Sequence, residues 1–255
     1  MRDRGGVTSM IGTLLAVATI TVAISIITTS YLPIWIESTE ARHMDEIEGS
    51  FRELKSNIES MLLKNDRNFT LTTQFTIGKE ENAFFDALNT KGELGHSTKN
   101  KIEVSVGQER YVAFGTIKFR SMNKYFAQQS YIYEFGGLLL NQSRGGLMKS
   151  NPNILSVGEN VSITLINFFG DVYSYSGIAK KEISYRLLFL WKNEYTWKNS
   201  DGEASINISS DNYEIWSVFL KKIATLDKGY GWVNATFSNI RNLSICYASL
   251  EVNIK

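Results

Sequence analysis

Hydrophobic and polar positions along the chain fall into three regimes. From Gly5 to Ile36 no residue carries a charge, and apolar residues dominate the run "GGVTSMIGTLLAVATITVAISIITTSYLPIWI". As a helix this run would extend about 48 Å at 1.5 Å per residue, longer than the roughly 30 Å hydrocarbon layer of a bilayer. Val7 to about Ile27 suffices to span such a layer, with Tyr31 and Trp35 at the level where interfacial aromatics belong. The apolar core of a cleaved secretion signal is only about 7 to 15 residues, so the run is too long for one.

The second regime, "ESTEARHMDEIEGSFRELKSNIESMLLK" at 37 to 64, keeps helical spacing but becomes amphipathic. Met44, Ile47, Phe51, Leu54, Ile58, Met61 and Leu62 recur at steps of three and four, which places them on one stripe with charged residues around it. The stripe suits packing on the chain's own domain or contact with neighbouring subunits. Pro33 predicts a kink or a break between the two helical segments, and Gly49 is a second weak point. His43 belongs to the charged face, where Glu40 and Glu46 make no more than an incidental metal cluster.

In the third regime, from Asn68 onward, the period shortens to two. Strands are predicted at 69 to 77, 101 to 107, 110 to 119, 160 to 169, 182 to 191, 204 to 209, 230 to 237 and 244 to 254. "SYIYEFGGLLLNQ" reads as a hairpin turning at Gly136 and Gly137, because glycine accepts the positive φ that tight turns need. "SSDNYEIWSVFLKKIATLDKG" predicts a helix capped by Ser210 or Asp211, with Trp216, Phe219, Leu220 and Ile223 inward and Gly229 beyond its end. Trp191 and Trp197 flank a predicted turn, "WKNEYTW". The expected architecture is α+β: a long N-terminal hydrophobic and amphipathic helix, then a mainly antiparallel β-sandwich with one packed helix.

Composition narrows the function classes. Twenty-seven basic residues face 26 acidic ones, so no net field draws in nucleic acid. Cys246 is the single cysteine and cannot pair within the chain. His43 and His96 are the only histidines, His96 in a polar loop, and no G-x-S-x-G, P-loop or H-E-x-x-H is present. No catalytic residue, metal site or cofactor is assigned, and the expectation is a non-enzyme. Six N-x-[ST] sequons, at Asn68, Asn141, Asn160, Asn207, Asn234 and Asn242, are candidate N-glycosylation acceptors and agree with an exported domain. Arg2 and Arg4 precede the apolar run while Glu37 and Glu40 follow it, so the positive-inside bias puts the N-terminus in the cytoplasm and the remainder outside a single-pass membrane anchor. Within the run, Gly12 and Ala16 form a small-xxx-small pair for close helix packing, continued by the hydroxyl residues Thr21, Ser25 and Thr28.

The order Arg4, Gly5, Gly6, then "VTSMIGTLLAVATITVAI" resembles the class III signal of archaeal type IV pilin-like proteins. The match is close at Val7, Ile11 and Gly12 and departs at Ser9 and Met10, where many relatives have Pro and Val. Ile11 stands where bacterial pilins place a Glu. The resemblance implies cleavage by a prepilin peptidase between Gly6 and Val7, interaction with a pilus assembly machinery and sister pilins, and a cell-surface filament. It divides the chain into a leader (1–6), a membrane or filament-core helix (7–36), an amphipathic stalk (37–66) and an extracellular β-rich domain (67–255). The alternative is a binding or sensory module held permanently in the membrane.

Overall fold

The computed structural model describes residues 4–65, 67–80 and 89–255. Helix α1 (Arg4–Ile26) leads through a π-helical turn (Ile27–Tyr31) into α2 (Leu32–Lys64). The strands that follow are β1 (Thr70–Thr76), β2 (Gly92–Val106), β3 (Glu109–Ser121), β4 (Gln129–Glu134), β5 (Gly137–Gln142), β6 (Gly145–Ser150), β7 (Ile154–Val157), β8 (Asn160–Phe169), β9 (Tyr173–Gly177), β10 (Lys180–Thr196) and β11 (Gly202–Ser209). Helix α3 (Tyr213–Leu220) then precedes β12 (Thr225–Gly229), β13 (Trp232–Ile240) and β14 (Asn242–Ile254).

One sheet runs β1-β10-β14-β8-β7, and the other β12-β13-β11-β2-β3-β4-β5-β6 with β9 paired to β2. Pairing is antiparallel except between β14 and β8. The sheets curl into half-barrels instead of lying as two flat layers, and bulges contribute to the bending. Register slips occur in β10 between Leu187 and Phe189, and in β2 between Ser97 and Lys101. Two strands serve two cores in turn. In β14, Leu243 and Ile245 enter one core with Ile206, Ile208, Val233 and Trp216, whereas Ala248, Leu250 and Val252 enter the other. β8 divides likewise, with Ile163 and Leu165 in the Trp216 core and Ile166 and Phe168 in the other.

The second of these cores is completed by the stalk. Met44, Ile47, Phe51, Leu54, Ile58 and Met61 are buried in it beside Phe75, Phe119 and Tyr133, while Leu62 is only partly buried at its margin. Phe51 stands edge-on to Phe75 with ring centroids 5.0 Å apart. The stripe therefore packs on the chain's own β-domain, the first of the two partners its spacing allowed.

Several expectations are corrected. The hairpin exists, but its two turn residues are Phe135 (φ 48°) and Gly136 (φ 84°), and Gly137 begins β5. Burial decides the shift: Phe135 is packed against Trp216, and a Cβ on Gly137 would lie 3.1 Å from Met148 Sδ. The predicted helix up to Gly229 stops at Leu220, because Thr225–Gly229 adds an edge strand to β13. Neither Ser210 nor Asp211 is its cap residue. Asn212 is, and the Ser210 hydroxyl accepts the Asn212 N–H at 2.9 Å just before it. "WKNEYTW" is no turn, since β10 continues through it to Thr196, paired with β14. Trp191 stacks on Tyr247 and Trp197 on Tyr195, each pair 5.9 Å between centroids, so their ring faces are used in packing. His96 lies within β2, buried, and donates from Nδ1 to the Asp171 carbonyl at 2.9 Å. Cys246 is partly buried in β14, where burial pushes its thiol pKa up and disfavours the nucleophilic thiolate.

Candidate functional site: an apolar helix on a buried stalk

Exposed apolar surface is concentrated on α1. From Met10 to Trp35 no residue is buried, and Met10, Leu14, Leu15 and Val17 each expose more than half of their surface. The helix is long and apolar enough to cross a membrane. A Cβ at Gly12 would meet nothing within 4 Å, which leaves the Gly12 and Ala16 face open to a neighbouring helix. The hydroxyls along the run turn inward to their own backbone: Thr21 Oγ1 donates to Val17 O at 2.8 Å and Thr28 Oγ1 to Ile24 O at 2.9 Å. Self-satisfied hydroxyls of this kind are compatible with an apolar surrounding.

Pro33 does not break the helix. Its ring would collide with a carbonyl of the preceding turn, and that turn is the wider π form, closed by the Leu32 N–H on Ile27 O. Exposure then changes within one residue: Trp35 is 54% exposed and Ile36 3%. Tyr31 and Trp35, with centroids 6.4 Å apart, mark the junction.

Below the junction the stalk is fixed by polar residues that helical spacing places on the buried stripe. Extending the stripe back from Ile47 by steps of three and four passes through His43 and Glu40 to Ile36, and all four are buried. His43 and Glu40 are thus not solvated, contrary to the expectation from charge alone; the step pattern was the signal for them. Glu40 accepts the backbone N–H groups of Lys124, Tyr125 and Phe126 at 2.6, 2.9 and 2.7 Å. His43 Nε2 donates to Thr76 O at 2.6 Å and its ring stands edge-on to Phe119. Lys55 Nζ reaches the Gly136 carbonyl of the hairpin turn at 2.5 Å and the Asn151 carbonyl at 2.9 Å, with Glu59 2.7 Å away.

Glu48 joins the stalk to two strands. Burial raises its pKa, but hydrogen bonds from Tyr131 at 2.6 Å, Lys149 at 2.9 Å and Arg52 outweigh that and hold it at about 2. A depressed carboxylate pKa stabilises the fold above its ordinary value of 4.5, and the contribution is lost as pH falls through about 2. Glu48→Gln should therefore lower stability at pH 7 by about 1 kcal/mol, given solvent screening, with a smaller deficit near pH 2.5. Urea midpoints at the two pH values measure this, and an equal deficit at both would refute it.

The remaining sequence-derived residues are spread out. Arg4, Gly6 and Val7 are on the helical backbone of α1, and Arg2 lies outside the described residues. Asn68, Asn160 and Asn242 are exposed, the last donating from Nδ2 to Asn160 Oδ1 at 2.8 Å. Asn207 and Asn234 face each other across β11 and β13, and Asn141 donates to Asn212 Oδ1 at 3.3 Å. Among the described residues no three His, Cys, Asp or Glu side chains are grouped to hold a metal ion. No protein-family model and no curated protein matches the chain.

Proposed function

We propose that the chain is a pilin-like surface subunit, a minor component given its large β-domain, held in the membrane by α1 until assembly. The observation that carries this reading is the fully exposed apolar helix continuous with a stalk buried in the β-domain. Such a surface far exceeds the apolar patches that soluble monomers leave in water, so it needs lipid or other helices around it. In the membrane the N-terminus faces the cytoplasm, following the charge bias of Arg2 and Arg4. After prepilin-peptidase cleavage between Gly6 and Val7, the Gly12 and Ala16 face packs against sister helices and the glycosylated β-domain lines the cell-surface filament for assembly or adhesion. Ile11 supplies no carboxylate there, so helix contacts within the filament rest on close packing rather than on a buried ion pair.

The test is the terminal residue and particle state of protein purified from its source cells. Mass spectrometry is expected to find Val7 first and electron microscopy to find helical filaments containing the chain. An intact Met1 on monomers released only by detergent would overturn the reading. That outcome would favour a permanently anchored binding module, which draws support from a cavity in the β-domain lined by charged and polar residues.

A further inference from the structure

On β3, Thr116, Lys118 and Arg120 alternate with Ile117 and Phe119, which pack in the stalk core. The first three therefore occupy the face of the sheet turned away from the stalk. There they line a cavity of about 490 Å³ together with Glu93, Asn100 and Asp211. The bulge in β2 helps to build it. Between Ser97 and Lys101 three residues stand against Gly115 alone, and a bulge of this kind re-aims side chains. Gly115 has φ 115°, and a Cβ there would lie 2.5 Å from Phe168 Cβ, so the bend needs glycine.

Asn100, in the bulge, is buried and donates from Nδ2 to Glu134 Oε1 at 2.6 Å and to Ser210 Oγ at 3.3 Å. With its N–H groups committed, its carbonyl oxygen remains as an acceptor. Lys99 is neutralised by Asp211 at 3.2 Å, whereas Lys118 and Arg120 have no ion pair among the described residues. The Thr116 hydroxyl, on a residue 5% exposed, has no hydrogen-bond partner among the described residues. A buried hydroxyl without a partner in a cavity wall calls for one.

The lining thus combines two cations without an ion pair among the described residues with acceptors: the Asn100 amide oxygen and the Glu93 and Asp211 carboxylates. A bare anion satisfies the cations and is repelled by the Glu93 carboxylate; a neutral polyol satisfies the acceptors and leaves the cations idle. We propose that this cavity binds a small hydroxylated anion, a uronic-acid-like sugar residue, with its carboxylate at Lys118 and Arg120 and its hydroxyls at Asn100, Thr116 and the carboxylates. The volume falls within the usual range for small-molecule sites, about 300–1,000 Å³. The assignment does not depend on filament assembly, and its test is separate from that of the helix.

The full chain in detergent micelles is titrated calorimetrically with D-glucuronate, glucose and inorganic phosphate. Glucuronate is expected to bind saturably and at least about tenfold more tightly than either of the others. The double variant Lys118→Gln/Arg120→Gln, both positions being exposed, should keep the wild-type melting temperature and lose about tenfold or more in glucuronate affinity. Thr116→Val should weaken binding about threefold or more. Absence of saturable glucuronate binding, equal binding of glucose or phosphate, or a double variant that binds like the wild type would each overturn the proposal.

Discussion

A chain beginning at Ile36 is expected to stay in solution without detergent and to keep its β-domain, whereas one beginning at Arg67 aggregates. The first truncation removes Met10 to Trp35, none of which is buried, and with them the surface that demands lipid. The second removes Met44, Ile47, Phe51, Leu54, Ile58 and Met61, none more than 3% exposed. Each large buried side chain deleted from a core costs about 2–5 kcal/mol, so the six together, about 12–30 kcal/mol, match or exceed the roughly 5–15 kcal/mol that holds a typical domain folded. The same truncation strips the acceptor from the Lys124–Phe126 amides and the lysine from the hairpin turn. Sedimentation and thermal melts followed by circular dichroism distinguish the two chains. A cooperative melt from the chain beginning at Arg67 would show that the stalk is an appendage instead of core. A milder version is Phe51→Ala in the full chain, expected to cost about 3–5 kcal/mol through the cavity left between Phe75 and Tyr131.

Burial of the stalk also shows how far the sequence could be read. Steps of three and four made the stripe legible, and alternation made β1, β3, β8 and β14 legible within a few residues, because both patterns record which side chains avoid water. The partner of the stripe was not legible, since periodicity says that a face is buried and not against what. Glu40 and His43 were read by their charge as solvated, although they fall on the stripe's own spacing. β9, "YSYSG", and β12, "TLDKG", escaped because an edge strand with little burial carries no apolar alternation. The cavity was the least legible feature. It joins residues from 93 to 212 through a bulge whose only local mark is the glycine at 115.

Glu134→Ala is expected to lower stability by about 4 kcal/mol or more, and its effect should be distinct from that of Glu134→Gln. Glu134 is wholly buried, with no cation bonded to it among the described residues. It accepts hydrogen bonds from Asn100 Nδ2 at 2.6 Å, Ser210 Oγ at 3.1 Å, Asn212 Nδ2 at 3.3 Å and Trp216 Nε1 at 3.1 Å, which tie α3 and the bulge to β4. Alanine leaves these donors buried without an acceptor, at about 1–3 kcal/mol each. Glutamine keeps an oxygen for the donors at Oε2 and costs less, about 1–2 kcal/mol, provided that the Asn100 amide turns over. The pH dependence separates charge from packing. Burial pushes the Glu134 pKa up, and its four hydrogen bonds pull it back only in part, so the folded state favours the protonated acid more than the unfolded chain does. A raised carboxyl pKa stabilises fully below the ordinary value of 4.5 and is lost as pH rises through the folded value. As pH rises above 4.5 the wild type should therefore lose stability relative to Glu134→Gln, whose amide does not titrate. Glu48 changes in the opposite direction and below this window, so it does not mask the difference. Urea midpoints of both proteins across the window decide the matter: parallel curves would mean that Glu134 has the same proton affinity folded and unfolded, and that the cost of its burial has been misjudged.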